Sequence, residues 1–311
     1  MTELASVKIV SLLPSATEIV DCLGIRDFLV GRSHECDYPP SVRDLPVCTS
    51  ARLNSAKSSS EIDLDVKALI QQALSIYEVK TEVLEQLKPT HIITQNQCDV
   101  CAVTQSEVEK AISVLTKSDV KVISLQPNLL NDIWADIEQV ARILEVESKP
   151  VLEQLQQRIK AISHQTRNIN TKPTVVALEW IEPLMGGGNW IPELIEIAGG
   201  TSLLGVKGKH SPYLSWQMLT EADPDVIVIM PCGFDLQRTE LESKVLKEHP
   251  DLVNLTAFKK GKIYLVDGNA YFNRPSQRLV DSTEILAEIL HPELFDYGFF
   301  GSSWKQLEGL G

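Results

Sequence analysis

The stretch Lys8-Ile-Val-Ser-Leu-Leu-Pro-Ser-Ala-Thr-Glu-Ile-Val-Asp-Cys-Leu23 decides the fold. Its first half is a short, mostly apolar run that Pro14 ends, and such runs suit strands buried on both faces of a parallel sheet. Its second half, Ser15–Leu23, carries apolar residues at helical spacing, with Ser15 or Thr17 placed to cap the helix. Strand then helix is the repeating unit of an α/β protein.

The same alternation recurs outward from this stretch. Lys8–Leu12, His91–Thr94 and Lys121–Leu125 are the strand-like runs of the first part, and Thr174–Leu178, Val226–Met230 and Lys262–Val266 those of the second. Helical patterns fall at Asp63–Leu87, Ser106–Leu115, Pro192–Ala198 and Ser276–Leu290. Between the two halves, Ile133, Ile137, Val140, Ala141 and Leu144 recur at helical spacing. A second helix follows, with Ser148 at its cap, Pro150 in its first turn and Leu152, Leu155, Ile159 and Ile162 on one face. About 20 residues at 1.5 Å each make a rod of roughly 30 Å, long enough to back two lobes. The pattern predicts an α/β protein of two Rossmann-like lobes with parallel sheets, bridged by a single long backbone helix, with a ligand cleft between the lobes. The expected divisions are residues 1–147, a bridging helix and exit over 148–172, and 173–311, with Gly301–Gly311 as a loose tail.

Composition narrows the function. The chain has 311 residues, 42 acidic and 29 basic, for a formal charge of −13. That balance argues against gripping nucleic-acid phosphates or an anionic membrane and reads as solubility. No stretch approaches the ~20 apolar residues of a membrane span. The first residues run directly into a strand rather than into a secretory leader. The expectation is a cytoplasmic monomer, or a periplasmic one if such a leader had been removed. Six cysteines, at 22, 36, 48, 98, 101 and 232, are too sparse for a disulfide scaffold.

The loops after the strands hold the candidate chemistry. In Ser33-His-Glu-Cys-Asp-Tyr-Pro-Pro40 a His, a Glu, a Cys and an Asp lie together, either as zinc or cobalt ligands or as a polar loop. Cys98-Asp-Val-Cys101 follows the His91 run, and a lone C-x-x-C fits a structural, metal or redox role. In the second half, Glu179-Trp180 leads to Gly186-Gly187-Gly188 and Trp190. His210–Trp216 and Gly268–Arg274 add further aromatics. Neither a P-loop nor G-x-G-x-x-G with its distant acid is present, and no G-x-S-x-G or H-E-x-x-H motif marks a catalyst. Aromatics gathered in these loops suggest a large, partly apolar ligand rather than a sugar phosphate.

Several stretches, in order, resemble the substrate-binding proteins of cobalamin and iron-siderophore ABC importers, closest to the cobalamin-binding branch. They are Ile9–Glu18, Leu29–Pro40, Leu87–Ile93, Ala198–Gly200, Ala222–Val228 and Arg274–Arg278, and the likeness spans about residues 7–292. The resemblance implies non-catalytic binding of a corrinoid, cobalamin or cobinamide, for transport, salvage or intracellular handling, with an ABC permease as partner and no catalytic cofactor. Carried over by matching motifs, the ligand loops fall on Pro14, Ser15 and Ala16, on Tyr38, on Trp180 through Gly188, and on Tyr271, Phe272 and Arg274. Gln97 and Trp216 complete the candidate contacts. His34 is the candidate axial ligand to a corrinoid cobalt. Two alternatives stand beside this. One is a ferric siderophore or haem, an anionic ligand met by Arg32, Arg274 and Arg278. The other is a metal- or thiol-dependent enzyme using Cys98, Cys101, His34 and Cys36.

Overall fold

In the computed structural model, which describes residues 6–71, 76–95, 108–111, 120–247 and 249–308, the expected apolar runs are strands. Two units divide the chain: the first takes residues up to 57, 61–127 and 131–152, and the second takes 58–60, 128–130 and residues from 153 onward.

In the first unit the strands are β1 (Ile9–Ser11), β2 (Leu29–Arg32), β3 (Thr49–Ala51), β4 (Tyr77–Val79), β5 (His91–Gln95) and β6 (Lys121–Leu125). Four of them form a parallel sheet ordered β2-β1-β5-β6, and β3 pairs antiparallel with β4. Every residue of β1 and β5 is buried, as continuous runs require. The helices are α1 (Pro14–Cys22), α2 (Ser59–Gln71), α3 (Thr81–Leu87) and α4 (Leu130–Ile143). Helix α5 (Lys149–Thr166) starts with Pro150 in its first turn and belongs to the second unit from Glu153 onward. Its 18 residues make it about 27 Å long.

The second unit contains β7 (Thr174–Trp180), β8 (Met185–Gly186), β9 (Thr201–Ser202), β10 (Val226–Ile229), β11 (Ile263–Val266) and β12 (Trp304–Gln306). The sheet runs β12-β11-β10-β7-β8, with β9 also on β7; β7, β10 and β11 are parallel, while β8 and β12 are antiparallel. Its helices are α6 (Ile191–Ile197), α7 (Trp216–Ala222), α8 (Leu236–Glu242), α9 (Lys244–Lys247), α10 (Thr256–Lys259) and α11 (Leu279–Leu290). Val176, Leu178, Ile227, Ile229, Ile263 and Leu265 form one buried cluster under the sheet.

A polar clamp sets the register of the central pair in each unit. The Thr90 hydroxyl accepts from the backbone N–H of Lys8 at 2.9 Å, beside the β1–β5 pair. Asp225 plays the matching part: its carboxylate accepts from the N–H and hydroxyl of Thr174, at 3.1 and 2.9 Å, where β7 and β10 begin. Each clamp follows a helix that ends in a left-handed residue, Lys88 or Asp223. Arg158 of α5 also grips Glu284 of α11 with two parallel hydrogen bonds, at 2.9 and 2.6 Å, and reaches Asp281 as well.

Three expectations change. The helix expected over Asp63–Leu87 is divided, because Tyr77–Val79 pairs with β3 and Ile76 is buried. Ser15 and Thr17 do not cap α1: Leu13 stands at its N-cap without a side-chain bond and Pro14 opens the first turn. Trp304–Gln306 is a strand rather than part of a loose tail. The Glu288 carboxylate holds that segment, accepting from the N–H groups of Tyr297, Gly298 and Phe299 and from Trp304 Nε1. Of the helix expected over Ser106–Leu115 only residues 108–111 are described, and they are helical.

Asp136 of α4 is 7 % exposed, and its Oδ2 has no hydrogen-bond partner among the described residues. Burial pushes its carboxyl up to about 7, with Asp132 adding to the rise. Between the ordinary carboxylate value and about 7 the folded state therefore holds a proton that the unfolded chain has released. Stability falls as pH rises through that window, by about 1 kcal/mol per unit at the steepest. Asp136→Asn should flatten this fall in urea unfolding between pH 5 and pH 8; a parent-like slope in the variant would reject the assignment.

Candidate functional site

Parallel strands bring the loops after them to one edge of each sheet. In the first unit, Ser33, His34, Glu35 and Cys36 follow β2, and Pro14, Ser15 and Ala16 follow β1. Ser15 and Ala16 are buried on α1 and Pro14 half-buried. The Thr17 hydroxyl lies 2.8 Å from Ser11 Oγ and 3.0 Å from Cys36 Sγ, which fastens the start of α1 to the loop after β2. Arg32 secures that loop from the other side. Its guanidinium donates to the carbonyls of Ser33, Cys36 and Arg43, at 3.0, 3.1 and 2.9 Å.

His34 stands at the centre of a polar cluster. Its Nδ1 lies 2.7 Å from Thr49 Oγ1, and its backbone N–H donates to the same oxygen at 3.0 Å. The Tyr77 ring tilts against the imidazole at 5.5 Å, and the Tyr77 hydroxyl donates to Glu35 Oε1 at 3.1 Å. Nε2 is 4.0 Å from that same carboxylate oxygen, and the His34 side chain is 27 % exposed. Burial, Lys80 and Arg32 all hold the imidazole pKa below its ordinary value. Tyr38 is exposed. Gln97, Cys98 and Cys101 lie outside the described residues.

In the second unit, β7, β10 and β11 end side by side. Trp180 closes β7: its Nε1 donates to the carbonyls of Ser59 and Glu182, and its ring tilts on Phe234 at 5.2 Å. The Arg238 guanidinium lies over the other ring of this column, 3.8 Å from the Phe234 centroid. After β11, one wide helical turn over Gly268–Phe272 is capped by Asp267, which accepts from Ala270 N–H at 2.7 Å. A Cβ at Gly268 would lie 2.3 Å from the Pro231 carbonyl, so no other residue fits that approach. Burial raises the pKa of Asp267, with Asp235 adding to the rise, and the guanidiniums of Arg274 and Arg278 oppose it.

The expected contact residues of this unit fall in two groups. Trp180 and Tyr271 are half-buried at the edge, and Tyr271 lies under the Arg278 guanidinium at 4.5 Å. Gly186, Gly187, Gly188 and Phe272 are buried, and the Phe272 carbonyl accepts from Trp190 Nε1 at 2.9 Å. Arg274 is 5 % exposed and donates to Asn269 Oδ1 at 3.0 Å. Trp216 stacks on His249 at 3.6 Å and packs against the core cluster. The sequence reading missed Thr49 and Tyr77 around His34, and Phe234 and Arg238 beside Trp180. They are separated from their partners in the chain, and no motif marks them.

These features are those of an α/β architecture with aromatic and polar loops at the carboxyl ends of parallel strands. The chain belongs to the periplasmic binding protein family, whose model matches residues 9–270. Members are non-catalytic substrate-binding proteins of ABC transporters. An uncharacterized ABC transporter substrate-binding lipoprotein of Bacillus subtilis is 24 % identical over 299 residues, 93 % of this chain and 81 % of the relative. The vitamin B12-binding protein of Photorhabdus laumondii is 22 % identical over 256 residues, 79 % of this chain and 81 % of the relative. Among solved structures, a periplasmic heme-binding protein from Roseiflexus matches with a TM-score of 0.68 and 21 % identity, over 92 % of this chain and all of that one (100 %). The expected cytoplasmic location finds no support in these relatives, which are described as lipoprotein or periplasmic. Among the described residues no helix is long and apolar enough to cross a membrane.

The glycine run is tied to β7 by a chain of hydrogen bonds. Ser211 Oγ donates to Glu179 Oε2 at 2.7 Å and accepts from Gly188 N–H at 3.2 Å. A Cβ on Gly188 would sit 2.5 Å from Ser211 N and 2.6 Å from the Lys209 carbonyl, both backbone atoms. Gly188→Ala should therefore destabilise the protein by about 1–3 kcal/mol in urea unfolding. An unchanged midpoint would show that this loop yields freely.

Proposed function

We propose that the protein binds a corrinoid, cobalamin or cobinamide, at these loops and delivers it to an ABC permease. The observation that carries the reading is how the cations are used. An anionic siderophore or haem calls for open guanidiniums. Arg32 is spent on three backbone carbonyls, Arg274 is buried against Asn269, and the half-buried Arg278 lies over the Tyr271 ring. A corrin without peripheral carboxylates asks instead for flat aromatic surface, which Trp180 and Tyr38 offer, and for a donor to its metal, which His34 offers. Pro14, Ser15, Ala16 and the Gly186–Gly188 run then shape the loop backbone rather than grip the ligand. Tyr271 and Phe272 support it from behind. A vitamin B12-binding relative supports this reading.

Titration of the purified protein with cyanocobalamin, aquocobinamide, hemin and a ferric catecholate, followed by visible absorption and calorimetry, tests it. Corrinoids should bind in preference to the two iron ligands, and Trp180→Ala should weaken them by about tenfold. Hemin binding without corrinoid binding would replace the reading. Delivery to a permease predicts protein on the permease side of the cytoplasmic membrane in cell fractions, and confinement to the cytosol would exclude it.

A further inference from the structure

The hydrogen bonds around His34 fix more than its position. Thr49 Oγ1 carries a single proton, and it donates that proton to Ser33 Oγ at 3.0 Å. The same oxygen accepts from the His34 backbone N–H at 3.0 Å. With the Thr49 proton committed to Ser33, the 2.7 Å contact with Nδ1 is completed by a proton on Nδ1. In the neutral ring the lone pair then belongs to Nε2. Ser33 is held in turn: buried, it also accepts from the Glu35 N–H at 3.3 Å. Thr49 is 1 % exposed and anchored at the first residue of β3, so this chain of donors is built into the sheet.

Nε2 belongs to a side chain that is 27 % exposed. Its nearest charged neighbour is Glu35 Oε1 at 4.0 Å, which the Tyr77 hydroxyl holds, and it makes no hydrogen bond among the described residues. A histidine whose one nitrogen is pinned by a hydrogen bond and whose other is open has the arrangement of a metal ligand. One imidazole is too few donors for a bare ion, which wants three or four protein ligands. Among the described residues no group of three or more His, Cys, Asp or Glu side chains could hold one.

We propose that Thr49, backed by Ser33, is the positioning residue of this site. It fixes His34 as the Nδ1–H tautomer, with the Nε2 lone pair directed to a metal centre that arrives already caged in its own ligand and has one replaceable axial position. In the binding step the Nε2 lone pair displaces an axial water from that metal; no proton moves and no electron is transferred. The inference deepens the proposed corrinoid reading and rests on it for the identity of the cage, but the tautomer is a property of the free protein.

The test separates the two. Nitrogen-15 NMR of the unliganded protein should show His34 in the Nδ1–H form. Thr49→Val should shift it toward the Nε2–H form, Thr49→Ser should restore it, and folding should be checked by circular dichroism. An Nε2–H tautomer in the parent, or one unmoved in Thr49→Val, overturns the proposal whatever the protein binds. Aquapentaammineruthenium(II), which takes an exposed imidazole lone pair without needing a corrinoid site, should label His34 in the parent at Nε2. Thr49→Val should slow that labelling several-fold, as mapped by peptide mass spectrometry; equal labelling overturns the proposal. With aquocobinamide, parent and Thr49→Ser should give an imidazole-ligated cobalt spectrum that His34→Ala lacks. Binding without that signature refutes ligation by His34, whereas absence of any corrinoid binding removes the corrinoid reading and leaves the tautomer result standing.

Discussion

The polar clamp at the head of each central strand pair is the constraint from which the rest of the arrangement follows. A parallel pair buried on both faces is mostly apolar along its length, and apolar contacts alone specify register weakly. Thr90 on Lys8 and Asp225 on Thr174 remove that freedom, because a slip by one residue would strand a backbone N–H without its acceptor. The loops 33–36 after β2, 181–184 after β7 and 267–274 after β11 leave the carboxyl ends of parallel strands within each unit.

Those loops are rigid for polar rather than apolar reasons. Arg32 ties three carbonyls of the loop after β2, Glu179 reaches Gly188 through Ser211, and Asp267 caps the turn that carries Tyr271. A loop that returns little apolar area must satisfy its backbone groups in this way to hold one shape. The result is a preorganised surface, in which side chains that look available in the sequence are already occupied. Arg274, Phe272 and Trp216 are examples: each has the chemistry of a ligand contact, and each is committed to the protein's own packing.

Much of this was legible. The apolar runs predicted β1, β5 and β6 of the first sheet and β7, β10 and β11 of the second, because burial on two faces leaves a signature independent of partners, whereas β2, β8 and β9 carry no such run. The strand–helix boundary at Pro14 was readable because proline fixes its own φ and restricts its predecessor. The antiparallel pair β3–β4 was hidden. Tyr77–Val79 lies within an apolar pattern compatible with a helix, and only Thr49–Ala51, about 28 residues earlier, decides otherwise. Strand β12 was hidden for a similar reason: its apolar content is slight, and the Glu288 carboxylate that holds the Trp304 indole and the backbone of 297–299 just ahead of it lies on a helix well before it.

By itself, the sequence determined the α/β class, the two sets of parallel strands, the long helix α5 and the presence of a histidine, aromatics and glycines just after strands. All of these follow from local periodicity and the stereochemistry of proline and glycine. Only the tertiary structure decided how those residues are held. His34 was visible as a candidate donor, but Thr49, distant in the chain, meets its Nδ1 only in the fold and is held in turn by Ser33. Arg32 and Arg274 ceased to be candidates for an anion because backbone carbonyls and Asn269 reach them first. Hydrogen-bond partners are assigned by proximity in space, and a sequence records only order along the chain.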